Sequence, residues 1–447
     1  MILLQRGVVM SRLYPVVLLV LVVSVFSGCG GSNESLIPPV GGQVVTTPPT
    51  GRVIAFGEVA NLARGTTMHL RLNRQGTEVR EYEVAFLSTF TQGPDHLIVC
   101  QTPASLAVGA GDSGSPLMTS DDQLAGALAF GWDGDDHRFM ARSIDDMLRL
   151  TPASPDRGIT FKEQEIPLSY FLQGVSIPTL QRLATLDRTG VSDKFQIIPT
   201  NPGSNRLATS VPMPGQSISV NYITGPLVTG GAVGTITHQT GDDQWLIFGH
   251  QLDNFGERAL PVSLASMDVM VETTFGSFKQ AHPLNQPIGT LVEDRMYGCR
   301  VDPNRNPETF PVTVRVNYND KTEKYIHQVA ADKSSGVELY FILVGILAPL
   351  DQVFNKYGPG TAEGTLILRL QGAGTQTYEI TVPEPAIDYG GDEGYYEENP
   401  SPPYVSDLSL GVAEVVMTKI FDLARYHPGV SFARVELNVT LHDFKPT

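Results

Sequence analysis

"VGAGDSGSPLMTSDDQLAGALAFGW", residues 108–132, is a glycine-rich turn running into an apolar strand. Gly111 and Gly114 reach backbone conformations that other residues avoid, so the chain can bend tightly around Ser113 and leave one hydroxyl projecting. Pro116 stiffens the exit, and "LAGALAFGW" (124–132) is apolar enough to be a buried strand. In such a turn the N–H groups of Gly111 and Ser113 point at one spot, the arrangement that holds an oxyanion. A plain Gly/Ser/Asp β-turn has the same composition without the chemistry. Six motif-like residues between two strands favour Ser113 as a nucleophile.

A serine nucleophile needs a base, and none precedes it at the spacing of a trypsin-like chain, where the histidine lies far upstream. Between the N-terminal linker and Ser113 there is no room for one complete barrel and most of another. His69 lies in "TMHLRLN" (67–73), where Met68, Leu70 and Leu72 alternate with His69, Arg71 and Asn73. That period puts the histidine on the polar face of a strand, and His96 lies too close to the serine. "WLIFGHQLDNFG" (245–256) instead places His250 just past a buried strand and after a glycine, 137 residues beyond Ser113. Triad geometry recurs in several chain orders, so a later histidine is no physical objection. His137 reads as part of a solvated acidic loop, His238 as a strand residue and His282, before Pro283, as a turn residue.

Two segments carry a resemblance. Residues 108–132 resemble the serine segment of the SpoIVB peptidase family, whose pattern is Gly-Met-Ser-Gly-Ser-Pro, a short turn and an apolar strand. "GGAVGTITHQTGDDQWLIFGH" (230–250) is similar to that family's histidine segment, and "GTLVEDRMYG" (289–298) extends the likeness over about residues 50–310. The resemblance implies a mainly β fold, a chymotrypsin-like double β-barrel in permuted order with the serine segment first. It also implies Ser113 as nucleophile, His250 as general base, and an acyl-enzyme route on a protein substrate, the chain itself included. Two positions depart from the pattern. Asp112 stands where the family has methionine, and the family's aspartate upstream of the serine has no clear counterpart. Asp95, Asp253, Asp268 and Asp294 stay open as the carboxylate that would orient the imidazole.

The N-terminus reads as export machinery. Arg6 and Arg12 precede "PVVLLVLVVSVF" (15–26), the length of a signal-peptide core, and "FSGCGGSNES" (26–35) resembles a lipobox. That likeness implies cleavage before Cys29 and lipidation of its thiol. The protein would then be anchored on the extracytoplasmic side of the cell envelope, in the periplasm, on the outer membrane or at the cell surface. An ordinary secretory signal is the alternative. Cys100 and Cys299 are left as one long-range disulfide or two buried thiols. No Cys/His cluster has metal spacing, so neither metal nor cofactor is expected. A formal net charge of −16 argues against nucleic acid as a partner.

The organisation expected is a signal peptide over 1–29, a flexible tether over 30–50, a serine-bearing β domain over 51–160 and a connecting segment over 161–210. A histidine-bearing β domain over 211–310 and a C-terminal α+β domain over 311–447 complete it. In the last part, residues 311–330 and 365–382 read as hairpins, and "GVELYFILVGILAPLDQVF" (336–354) as a helix breaking near Pro349. Residues 383–404 read as a mobile acidic loop, followed by a helix capped at Ser406 or Asp407 and stopped at His427-Pro428-Gly429, then a closing strand. Three functions compete: a membrane-tethered serine endopeptidase, a catalytically inactive protease-like lipoprotein acting as a binding or scaffold protein, and a β-rich binding module whose serine motif is coincidental.

Overall fold

The computed structural model describes residues 41–48, 51–132, 135–150, 169–186, 211–273, 276–331, 337–354, 360–371, 377–388, 407–426 and 431–443. It is mainly β, with two closed six-strand antiparallel barrels and few helices. The expected signal peptide, the lipobox with Cys29 and most of the 161–210 connector lie outside the described residues.

The first barrel is built from β2 (Thr67–Gln75), β3 (Glu78–Gln92), β4 (Asp95–Gln101), β5 (Pro116–Thr119), β6 (Leu124–Trp132) and β7 (Asp135–Ser143). It is flanked by β1 (Gln43–Val45), α1 (Phe56–Val59) and α2 (Ile144–Leu148). Round the circle the strands run β2-β3-β4-β7-β6-β5 and close on β2. The second barrel follows β8 (Ser169–Gln173) and α3 (Ile177–Leu186). It comprises β9 (Ser217–Thr224), β10 (Thr229–Gln239), β11 (Trp245–Ile247), β12 (Gly256–Thr273), β13 (Gly276–Arg295) and β14 (Gly298–Asp302). Its circle is β9-β10-β11-β14-β13-β12, closed by β9. Each barrel therefore has the same order: first, second, third, sixth, fifth, fourth. Closure leaves no open edge within either barrel.

Beyond β14 come β15 (Thr309–Tyr318), β16 (Lys321–Ala330), α4 (Val337–Phe354), β17 (Gly360–Gln371), β18 (Thr377–Asp388), α5 (Asp407–Tyr426) and β19 (Ser431–Asp443). The strands lie in the order β18-β17-β19-β15-β16, and β16 pairs with β9 through Gln328–Thr224 and Val329–Ile223. One hydrophobic core runs unbroken from Val220 and Leu260 of the second barrel to Val312, Phe341 and Leu437. By length and composition α4 could cross a membrane, yet most of it is buried inside the protein.

Several local expectations change. Gln43–Val45, within the expected tether, pairs with Val79–Glu81 of β3. On β2 the apolar face is buried as expected, but Arg71 and Asn73 are buried too. Arg71 bonds Glu81 and Asp122, and Asn73 accepts the Ser217 hydroxyl of the second barrel, so a neighbour covers the polar face. His137 lies on β7 and His282 on β13 rather than in a loop and a turn. α4 continues through Pro349 to Phe354; burial of Leu350 and Phe354 holds the turn after the proline. Cys100 and Cys299 are buried free thiols, not a disulfide. The acidic insert beyond Asp388, Ser406 and the His427-Pro428-Gly429 stop lie outside the described residues.

Candidate active site

Ser113 lies between β4 and β5, the third and fourth strands of the first barrel. His250 lies between β11 and β12, the third and fourth strands of the second. The two residues thus occupy equivalent loops of two like barrels. Both loops are bent by positive φ angles, +90° at Gly111 and +92° at Gly114 on one side, +67° at Phe248 and +68° at Gly249 on the other. A phenylalanine at positive φ is a strained residue of the kind that clusters at functional sites.

Thr235 of β10 stitches the loops together. Its N–H donates to the Ser113 carbonyl at 2.8 Å, and its carbonyl accepts the Phe248 N–H at 3.4 Å. Its hydroxyl donates to the Gly111 carbonyl at 3.2 Å, while the Thr237 hydroxyl donates to that of Gly114 at 2.7 Å. The approach is close enough that a Cβ on Gly114 would lie 2.6 Å from the Phe248 nitrogen. Gly249 in turn packs on Ala127 and Leu128 of β6, and the Leu128 carbonyl accepts the Gly114 N–H. The serine and histidine segments meet at the junction of the barrels.

Ser113 Oγ and His250 Nε2 are both buried and without a hydrogen-bond partner. No bond joins them to each other. The imidazole donates from Nδ1 to the Gln251 carbonyl at 2.6 Å. A carbonyl only accepts, so the proton sits on Nδ1 and Nε2 presents its lone pair. Burial lowers the His250 imidazole to about 4; the Gln251 carbonyl opposes that drop and the Arg142 guanidinium adds to it. The ring is therefore neutral at pH 7, the form a general base needs. The N–H groups of Gly111 and Ser113 have no acceptor among the described residues, which leaves both for an oxyanion.

None of the four aspartates left open in the sequence bonds to the imidazole. Asp95 acts at one remove: it accepts Arg142 Nη1 at 2.6 Å, and Arg142 Nε donates to the Gly249 carbonyl at 3.1 Å. Asp294 holds the stretch after the histidine, accepting the N–H groups of Leu252, Asp253 and Phe255 as well as Arg258. Asp253 accepts the Tyr170 and Tyr222 hydroxyls, and Asp268 pairs with His282. A main-chain carbonyl, not a carboxylate, fixes the tautomer of His250.

Asp112, the departure from the family pattern, is fully buried. It accepts Arg74 Nη1 at 2.7 and 3.0 Å, lies 3.1 Å from Lys279 Nζ and accepts the Gly109 N–H. No local pattern in the sequence singles out Arg74, Lys279, Arg142 or Thr235. The available signal was Lys279 itself, which shares the inward face of β13 with Ser277 and Ala281. A charge at such a position needs a buried partner. Among the described residues no group of His, Cys, Asp and Glu is placed to hold a metal ion.

Comparison with protein-family models, curated proteins and solved structures finds no match to this chain.

Proposed function

We propose that this protein is a serine endopeptidase of the extracytoplasmic cell envelope, with Ser113 as nucleophile and His250 as general base. The observation that carries the reading is that equivalent loops of two like barrels, joined through Thr235, bear an unpartnered serine hydroxyl on one side and an unpartnered imidazole nitrogen on the other. Ser113 Oγ attacks a peptide carbonyl as Nε2 takes its proton, and the Gly111 and Ser113 N–H groups receive the oxyanion. The peptide C–N bond then breaks as His250 returns that proton to the leaving amine, and water, giving its proton to Nε2, hydrolyses the acyl-enzyme and frees Ser113. We read the barrels as the chymotrypsin-like pair in permuted order, and residues 311–447 as a C-terminal α+β unit continuing the second barrel's sheet. Lipidation at Cys29 would tether the protein to its membrane and direct it to protein substrates, itself included.

A second reading has its own support. Ser113 is fully buried and no carboxylate supports His250, as suits a protease-like protein that binds or scaffolds without cleaving, since a fold does not guarantee an activity. A fluorophosphonate probe separates the two. The peptidase reading expects the full-length protein to be labelled, with labelling lost in Ser113→Ala and His250→Ala. A folded wild-type protein that takes no label supports the inactive reading.

A further inference from the structure

The β12–β13 hairpin leaves the second barrel and crosses onto the first. Its Met267 exchanges two backbone hydrogen bonds with Gly76. On its other strand, the Ser277 carbonyl accepts the Ala110 N–H at 2.8 Å, and the Lys279 N–H donates to the Ala110 carbonyl at 2.8 Å. These bonds deliver the Lys279 ammonium to the back of the serine turn. There it lies 3.1 Å from Asp112, and it donates to the Ser217 hydroxyl at 3.2 Å and the Thr235 hydroxyl at 3.4 Å. Arg74, from the end of β2, grips both oxygens of the same carboxylate and ties itself to the Ala107 carbonyl. Gly111 leaves room for the arm: a Cβ there would stand 3.0 Å from that of Lys279.

We propose that Lys279 and Arg74 are positioning residues that act through Asp112, clamping the Gly111–Ser113 turn in the shape that presents its two free N–H groups. This rests on Ser113 being the nucleophile and names what holds its oxyanion hole open. Buried charge is costly unless paired, so an Asp–Arg–Lys cluster beside the nucleophile is poorly explained as packing alone. Two cations against one carboxylate leave one net positive charge behind the turn, the sign that favours an oxyanion in front of it. The charged groups facing Lys279 are Asp112 from the serine turn and Arg74 from β2. Behind them stands the Tyr82 phenol of β3, raised above its usual range chiefly by burial. From β9 and β10 the neutral hydroxyls of Ser217 and Thr235 bond it.

The test compares full-length wild type with Lys279→Met, Lys279→Arg and Arg74→Met. Each methionine variant keeps one cation on Asp112, so neither leaves the carboxylate unpaired; thermal melts confirm folding before further work. The clamp predicts faster amide exchange over residues 109–115 in Lys279→Met, by about tenfold or more, with the rest of the barrel unchanged. It also predicts a maximal fluorophosphonate acylation rate about 10- to 100-fold lower, with half-saturating probe concentration unchanged and Lys279→Arg restoring most of the rate. Folded methionine variants with wild-type exchange in the turn overturn the clamp, whether or not the protein takes the label. Wild-type acylation rates in both variants overturn it equally. A wild type that takes no label removes the nucleophile reading, and the exchange data still decide whether Lys279 and Arg74 hold the turn.

Discussion

His250 is poised by what it lacks. With no carboxylate at Nδ1, the Gln251 carbonyl offsets only part of the burial that lowers its imidazole to about 4. A base must be unprotonated to accept the serine proton, so activity falls as pH drops through the pKa of the free enzyme. The rate of fluorophosphonate labelling should therefore hold nearly level from pH 7 to pH 5 and fall with a midpoint near 4. An acid limb centred near 6.5, the ordinary histidine value, would mean that the reacting enzyme does not keep the imidazole in this buried setting. The same low basicity makes His250 a weak proton acceptor, so labelling should be slow even where it is complete.

At the scale of elements, the histidine loop depends on a residue that never touches the histidine. Asp294, at the end of β13, is itself fully buried and accepts the loop N–H groups of Leu252, Asp253 and Phe255 and one Arg258 nitrogen. Asp294→Asn keeps the size but turns one acceptor into a donor facing those N–H groups. It should cost about 2–3 kcal/mol in a urea melt and lower the labelling rate with it. Asp268→Asn serves as contrast, since its pair with His282 lies at the surface and should be worth no more than about 0.5 kcal/mol. Equal losses in the two variants would deny Asp294 its special role. Much of this architecture is legible in the sequence. The alternation of Met68, Leu70 and Leu72, the Thr-Gly-Asp-Asp turn before Trp245, and the glycines around Ser113 are local signals with local causes. Arg71, Asn73 and Lys279 escape such reading because their partners lie on other strands and turns, distant in sequence or across a hairpin: Glu81 and Asp122, Ser217, and Asp112. Pro349 marks a helix break by its own chemistry, yet burial of the following turn overrides it. The orienting aspartate could not be chosen because the group at Nδ1 is a main-chain carbonyl, which no side-chain pattern reveals.

At the largest scale, the second barrel joins the sheet that follows it at a narrow seam, where β16 meets β9 over two residue pairs and the core continues across. His327 of β16 is buried in that seam: its Nε2 accepts the Val228 N–H at 3.3 Å, and its ring fills the space that a Gly225 side chain would need. Burial lowers this imidazole to about 4. Between pH 6.5 and 4 the unfolded chain binds a proton there that the folded chain refuses, so stability is lost as pH falls through that window and regained as it rises. Protonation would also take away the acceptor for Val228. His327→Gln keeps an acceptor amide and cannot titrate, so it should lose less stability than wild type between pH 7 and pH 4.5, by about 2.5 kcal/mol. His250 contributes its own acid-sensitive share in both proteins, and comparing them cancels it. Denaturant melts at the two pH values measure the difference, and parallel losses would show that the seam is not what acid opens.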